Sequence, residues 1–220
     1  QMTTKKSSCL IVCSGSISGV SAQSFIHSFT LIHSAFNVSI VTPNGNPIEF
    51  TNIDDNSSRW LKEFKSKPFS IPAKLEEVDA SSFSAILIPS GLGCLYDLAT
   101  SSALSSCLVS FMDDNKPICA VGHGVAGLCS AKMNNEWLFK EYSLTAPSLL
   151  ELSNLDNFSS FPIILEDFIK DNDACYSKSK PNCTHVIIDR CLITGQNDSS
   201  TLSAVQNLIL LCNARQGKGK

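Results

Sequence analysis

The chain has 220 residues, 43% of them hydrophobic and 17% charged, with a formal net charge of −3. That length fits one domain with its own buried core, and the composition excludes an intrinsically disordered chain. No apolar run approaches the roughly 18 residues of a membrane span, and Lys and Arg form no basic stripe that could grip a phosphate backbone. Neither direct membrane insertion nor direct nucleic-acid binding is expected.

Gln1 ahead of Met2 reads as a fragment boundary, with room for a lost leader before it. Lys5-Lys6 ahead of Cys9-Leu10-Ile11-Val12-Cys13 mimics a signal peptide, but the run is shorter than an h-region of about 7–15 residues. Ser8 to Cys13 is predicted to be a buried strand instead. Ser21 to Ala35 sets Ala22, Phe25, Ile26, Phe29 and Ile32 on one face at helical spacing. Phe36 to Val41 reads as the second strand, closed by the turn Thr42-Pro43-Asn44-Gly45. Asn56 to Lys65 is a short helix with Trp60, Leu61 and Phe64 inward, and Ser66 to Lys74, holding Pro68 and Pro72, a surface loop.

Ala85 to Ile88 is the third strand, Leu104 to Asp114 a helix, and Ile118 to Val121 the fourth strand. A strand at Tyr142 to Thr145, a helix near Ile163 to Lys170, and strands at His185 to Asp189 and Leu192 to Thr194 follow. Ser200 to Cys212 closes the domain as a helix. This alternation predicts an α/β fold, a mainly parallel sheet with helices on both faces. Residues 1–214 form the single domain, and 215–220 a disordered basic tail.

Ten cysteines contain no Cys-x-x-Cys and combine with none of the four histidines at zinc-finger spacing. No metal and no cofactor is expected. Cys9, Cys13, Cys119 and Cys129 lie in apolar segments and read as reduced, small hydrophobes in a reducing cytosolic setting. The regular step Cys175, Cys183, Cys191 has no assigned role. Five Asn-x-Ser/Thr sequons, at Asn37, Asn56, Asn157, Asn182 and Asn197, are attributed to chance in a Ser/Asn-rich chain.

Two glycine turns sit where strands end: Pro89-Ser90-Gly91-Leu92-Gly93, and Gly122-His123-Gly124 after Pro117-Ile118-Cys119-Ala120-Val121. In open parallel sheets the carboxyl ends of the strands hold the ligand, so both turns should face one pocket. A strand, sharp turn and following small-residue helix form the frame that presents a nucleophile. Here the tip is Gly122, which has no side chain to attack with. His123 N–H and a donor from Gly91 or Leu92 could form an oxyanion hole. His123 is open to two readings, a general base or a structural histidine, and lacks an adjacent nucleophile to activate. Cys94, just past Gly93, is either a displaced or redox-sensitive thiol or a simple buried one. A small-anion nest at Gly122-His123-Gly124 is a further possibility.

Four segments together resemble the class I glutamine amidotransferase-like superfamily, in its PfpI/Parkinson-disease-7 branch (peptidase family C56). They are the opening strand and helix ending in Val41-Thr42-Pro43-Asn44-Gly45; Ile88 to Gly93 with Tyr96-Asp97; Ile118 to Gly124; and Leu192-Ile193-Thr194-Gly195-Gln196-Asn197. The resemblance implies a flavodoxin-like three-layer sandwich, usually dimeric. Active members pair an elbow cysteine, followed by His-Gly, with a glutamate from the first-helix region, and are associated with glyoxalase, deglycase, chaperone or peptidase-like activities. Carried over, the cysteine position is Gly122, the histidine His123, and the glutamate falls at or next to Gln23. Thiol has become hydrogen and carboxylate has become amide. The resemblance therefore implies an inactive relative whose vestigial pocket comprises Gln23, Gly91, Leu92, Gly93, Cys94, Gly122, His123 and Gly124.

A narrower likeness, to an animal subgroup of the superfamily, is carried by Gly19 to Phe25, Pro72 to Glu76 and Pro117 to Val125. It implies a non-catalytic subunit of the FERRY complex, a five-subunit Rab-GTPase effector on early endosomes linked to mRNA transport. Endosome association would then be indirect, through protein partners.

Overall fold

The computed structural model describes residues 6–218. Its centre is a seven-stranded sheet built from short apolar runs: β1 (Ser8–Val12), β2 (Asn37–Thr42), β3 (Ala73–Lys74), β4 (Ala85–Ile88), β5 (Ile118–Val121), β6 (Val186–Asp189) and β7 (Leu192–Gly195). The spatial order is β6-β7-β5-β4-β1-β2-β3. Every neighbouring pair is parallel except β6 and β7, which are antiparallel.

Side chains alternate across the sheet, and both faces are covered, which is why the central strands read as unbroken hydrophobic runs. Leu10, Val12, Ile86, Ile88, Ile118 and Ala120 face one core. Cys9, Ile11, Leu87, Cys119, Val121 and Ile193 face the other. The second core is closed by α1 (Ala22–Ala35), α2 (Asp55–Lys65) and α6 (Thr201–Lys218). The first is closed by α3 (Ser102–Asp113) and α5 (Leu165–Asp171), with α4 (Leu149–Ser153) preceding α5 in the chain. This is the flavodoxin-like three-layer α/β sandwich that the alternating pattern and the family likeness imply.

Local signals explain the element starts. Ser21, Asp54, Ser101 and Ser148 each cap a helix by accepting a backbone N–H, from Ser24, Ser57, Leu104 and Glu151 respectively. These caps start α2 and α3 one and two residues ahead of the apolar periodicity.

Four expectations need correction. The 66–74 loop contains β3, an exposed two-residue edge strand on Val41–Thr42, too short to carry any periodicity. Tyr142 to Thr145 contributes only Ser143–Leu144, which pairs with Cys175–Tyr176 outside the main sheet. The stretch after the elbow winds as a nine-residue 3-10 run, Gly122–Ser130, rather than an α-helix. Finally, α6 continues over residues 215–218, where a disordered tail was expected: Arg215 donates to Asp114 O at 3.1 Å, and Gln216 to Ser7 Oγ. Residues 219 and 220 of that tail lie outside the described residues.

All ten cysteines are free, and eight of them are buried, consistent with the small-hydrophobe reading. Among the described residues no His, Cys, Asp and Glu group could hold a metal ion. No single helix among them is long and apolar enough to cross a membrane.

One buried charge ties α4 to α5. Glu166, only 4% exposed, accepts from Lys170 Nζ at 2.7 Å, Lys178 Nζ at 3.0 Å and Leu149 N at 2.8 Å. Burial alone raises a carboxyl pKa; these three donors outweigh it and bring Glu166 down from 4.5 to about 2. A depressed carboxyl pKa stabilises the fold above its unfolded value, and that stabilisation is lost as pH falls through the folded one. Stability should therefore decline as pH drops from about 4.5 towards about 2, measured by urea denaturation. Glu166→Gln should flatten that decline and cost about 1–3 kcal/mol at neutral pH.

Candidate functional site

The site forms where β4, β5 and β7 end beside the start of α1. Hydroxyl groups knit these ends together. Ser21 N–H donates to Ser90 O at 2.9 Å. Ser24 Oγ accepts the Ser90 N–H at 3.0 Å and lies 3.0 Å from Thr201 Oγ1 at the start of α6. Ser21 Oγ donates to Asp198 Oδ2, fixing that carboxylate beside the helix cap.

Gly122 stands at the tip of the β5 turn with φ +55°, a conformation that strains any residue with a side chain. A Cβ there would meet Ser90 Oγ at 2.3 Å and Ser90 Cβ at 2.8 Å, with Asp198 Oδ1 at 3.6 Å. The space that a side chain at 122 needs is already taken by Ser90, which is 2% exposed. Ser90 Oγ also accepts the His123 backbone N–H at 3.3 Å. That donor, expected to serve an oxyanion, is committed to a hydroxyl of the chain itself. Gly91 must be glycine for a different reason, since a Cβ there would lie 2.5 Å from Gly19 O.

A cleft of about 650 Å³ opens at this point. Of the eight expected site residues, Gln23, Gly91, Leu92, Gly122 and His123 line it. Gly93, Cys94 and Gly124 do not. Gly93 packs on the Ser14 side chain, and Gly124 on the Ile88 and Pro89 carbonyls. Cys94 is turned inward by the 3-10 turn Leu92–Leu95 and is fully buried in the core. Burial first, then the nearby Asp97 carboxylate, push its thiol well above the ordinary range. Of the two readings open for Cys94 the structure supports the buried thiol, and its place among the pocket residues is corrected.

His123 is half-buried, its ring edge-on to Phe161 at 6.4 Å between centroids. Its Nε2 is shielded from solvent and has no hydrogen-bond partner. Burial lowers the imidazole pKa to about 4, against the opposing pull of the Asp198 and Glu151 carboxylates. At neutral pH the ring is uncharged.

The cleft residues outside the expected set include three that shape its chemistry: Ser90, Glu151 and Asp198. Glu151 carried a usable signal, because Ser148-x-x-Glu151 is a capping box. Its two oxygens also accept from Gln196, Asn197 and Asn182 at 2.8, 2.9 and 3.0 Å. Burial opposes ionisation, but these donors win and lower its pKa. Asp198 lies far from α1 in sequence, and no local pattern announces its contact with Ser21.

A Gly122→Cys substitution should cost about 2–4 kcal/mol, from overpacking plus the left-handed backbone. Rotating the Ser90 hydroxyl aside relieves only one of the two close contacts. Ser90→Gly combined with Gly122→Cys should recover the overpacking part and leave a thiol that iodoacetamide labels faster than in the single variant. Denaturation midpoints and labelling rates check both statements. The His123 ring should show no titration above about pH 5 by NMR, consistent with a pKa of about 4.

The DJ-1/PfpI family profile matches residues 21–138. The chain is 52% identical over 212 residues to glutamine amidotransferase-like class 1 domain-containing protein 1 of Xenopus laevis, covering 96% of this chain and 93% of that protein. It is 49% identical over 209 residues to the Homo sapiens protein of the same name, covering 94% and 95%. Among solved structures, Rapid Encystment Protein 24 KDa of Francisella tularensis superposes with a TM-score of 0.84 at 22% identity, over 95% of this chain and 99% of that one. Glyoxalase III from Candida albicans gives 0.83 at 15% identity, over 93% and 97%. At such identities these two structures establish a shared fold alone.

Proposed function

Since the chain belongs to the DJ-1/PfpI family, we propose that it is a catalytically silent member, a glutamine amidotransferase-like domain that acts as a protein-interaction subunit. One observation carries this reading: the elbow tip is Gly122, and Ser90 fills the space beside it. Loss of a nucleophile from a serine protease costs about 10⁶-fold in turnover, or roughly 8 kcal/mol of barrier. Gln23 lines the cleft with an amide where the family resemblance expects a carboxylate, so the side chain at that position of α1 cannot take up a proton.

Three other readings lose support. A cysteine-dependent glyoxalase, deglycase or hydrolase would need Cys94, which is buried and protonated. A water-dependent enzyme would need His123 to take a proton at neutral pH, and its burial opposes the imidazolium. A small-anion nest at 122–124 would place a negative ligand beside Asp198 and Glu151, with the His123 N–H already engaged.

The narrower likeness supports a specific assembly. In this reading the domain is a subunit of the FERRY complex, held in the cytoplasm on early endosomes through protein partners, alone or as a homodimer, and linked to mRNA transport without touching RNA. Purified protein should turn over methylglyoxal, glycated amines and peptides no faster than a heat-inactivated control. Affinity purification from its own cells should recover a stable set of large subunits, identified by mass spectrometry. Turnover above that control that is lost on His123→Ala would overturn the silent-pocket reading; recovery of the chain without partners would overturn the assembly.

A further inference from the structure

The main cleft is not alone. A second cleft of about 500 Å³ adjoins it, and Ser21, Gln23, Asn52 and Asp198 line both. Together they form one wall between two chambers. The second chamber runs along α1 and α2 past His27, Asp54 and Trp60. Each chamber falls within the size range of small-molecule sites, about 300–1,000 Å³.

The charges on these walls are one-sided. Asp198 and Glu151 line the first chamber, and Asp54 and Asp198 the second; among the described residues no Lys or Arg lines either. Among the described residues the only basic groups on these walls are the imidazoles of His27 and His123, and burial keeps the latter uncharged at neutral pH. Glu151 has both oxygens engaged by the chain, so it contributes field rather than a contact. Asp198 differs. Ser21 holds its Oδ2, which leaves Oδ1 facing the Gly122 turn, 3.6 Å from where a Cβ would stand. Among the described residues Oδ1 has no hydrogen-bond partner of its own.

The remaining walls suit an aliphatic or amide-bearing body. Gln23, Asn52 and Asn56 supply side-chain amides along the junction, and Leu152 and Leu155 an apolar side. Trp60 is half-buried and braced by Phe29 at 5.7 Å and Phe64 at 5.3 Å. An indole held in this way can receive a cation or a CH-rich chain.

We propose that the paired clefts bind a small aliphatic ligand with an ammonium or guanidinium head, the head on Asp198 Oδ1 and the chain across the Gln23–Asn52 junction towards Trp60. This site is independent of the silent-pocket reading, since it uses no nucleophile and would persist if turnover were found.

Calorimetry with agmatine and with succinate tests it directly. Agmatine should bind with a sub-millimolar Kd that weakens as salt rises, and succinate should give no heat. Asp198→Asn, which keeps an acceptor for Ser21, should weaken agmatine at least tenfold, with an unchanged circular dichroism spectrum. Gln23→Lys, an exposed helical substitution, would place an ammonium in the shared wall and should abolish agmatine binding. The proposal fails if agmatine gives no heat at millimolar concentration, if succinate binds as tightly, or if folded Asp198→Asn and Gln23→Lys proteins both bind agmatine as the parent does.

Discussion

The arrangement at the strand ends depends on one small group, the hydroxymethyl of Ser90. Its backbone accepts from the α1 cap and donates to Ser24, while its Oγ takes the N–H that follows the β5 turn. A polar side chain that is 2% exposed must satisfy its hydrogen-bonding capacity locally. Ser90 does so with the backbone group that a reacting oxygen would otherwise approach. The same side chain excludes volume at position 122. Steric occupation and donor capture thus come from one residue, and the closed state of the elbow is a packing property rather than a missing contact.

The sheet and its helices were legible because both rest on strong periodic signals. A doubly covered parallel sheet makes β1, β4 and β5 unbroken apolar runs, and the covering helices repeat their buried residues at helical spacing. What escaped was either short or non-local. The two-residue strands have no period to detect, and the 3-10 run after Gly122 is shaped by glycines pressed against Ile88 and Pro89. At the site, the glycine turns marked the right strand ends. The inward turn of Cys94 and the plugging by Ser90 depend on distances of a few ångströms between segments far apart in sequence. Residue type left Cys94 open between a reactive and a buried thiol, and burial decides between them.

The segment between the two halves of the sheet adds a second layer of control over the cleft. Glu166 anchors α4 to α5 from below, and Glu151 ties the α4 turn to Asn182, Gln196 and Asn197 across the opening. Both carboxylates are ionised because their donors outweigh burial. Glu166 is paired with Lys170 and Lys178, whereas among the described residues no Lys or Arg lines the cleft beside Glu151 and Asp198, so the field there is negative. An anionic substrate would meet that field unfavourably, and a cationic group favourably.

These constraints interlock at the elbow, where packing decides what position 122 can carry. A thiol at position 122 needs Ser90 reduced to hydrogen, because the serine Cβ itself stands 2.8 Å from the incoming carbon. Removing the Ser90 side chain frees the His123 N–H but leaves the imidazole uncharged and Gln23 without an ionisable group. Room for a thiol therefore requires changes at both 90 and 122, and the nearest carboxylate would be Asp198, 3.6 Å from the new carbon, rather than a group at position 23. What the elbow presents instead is a shaped, negatively charged cleft, and shape, surface and field are the properties that binding uses.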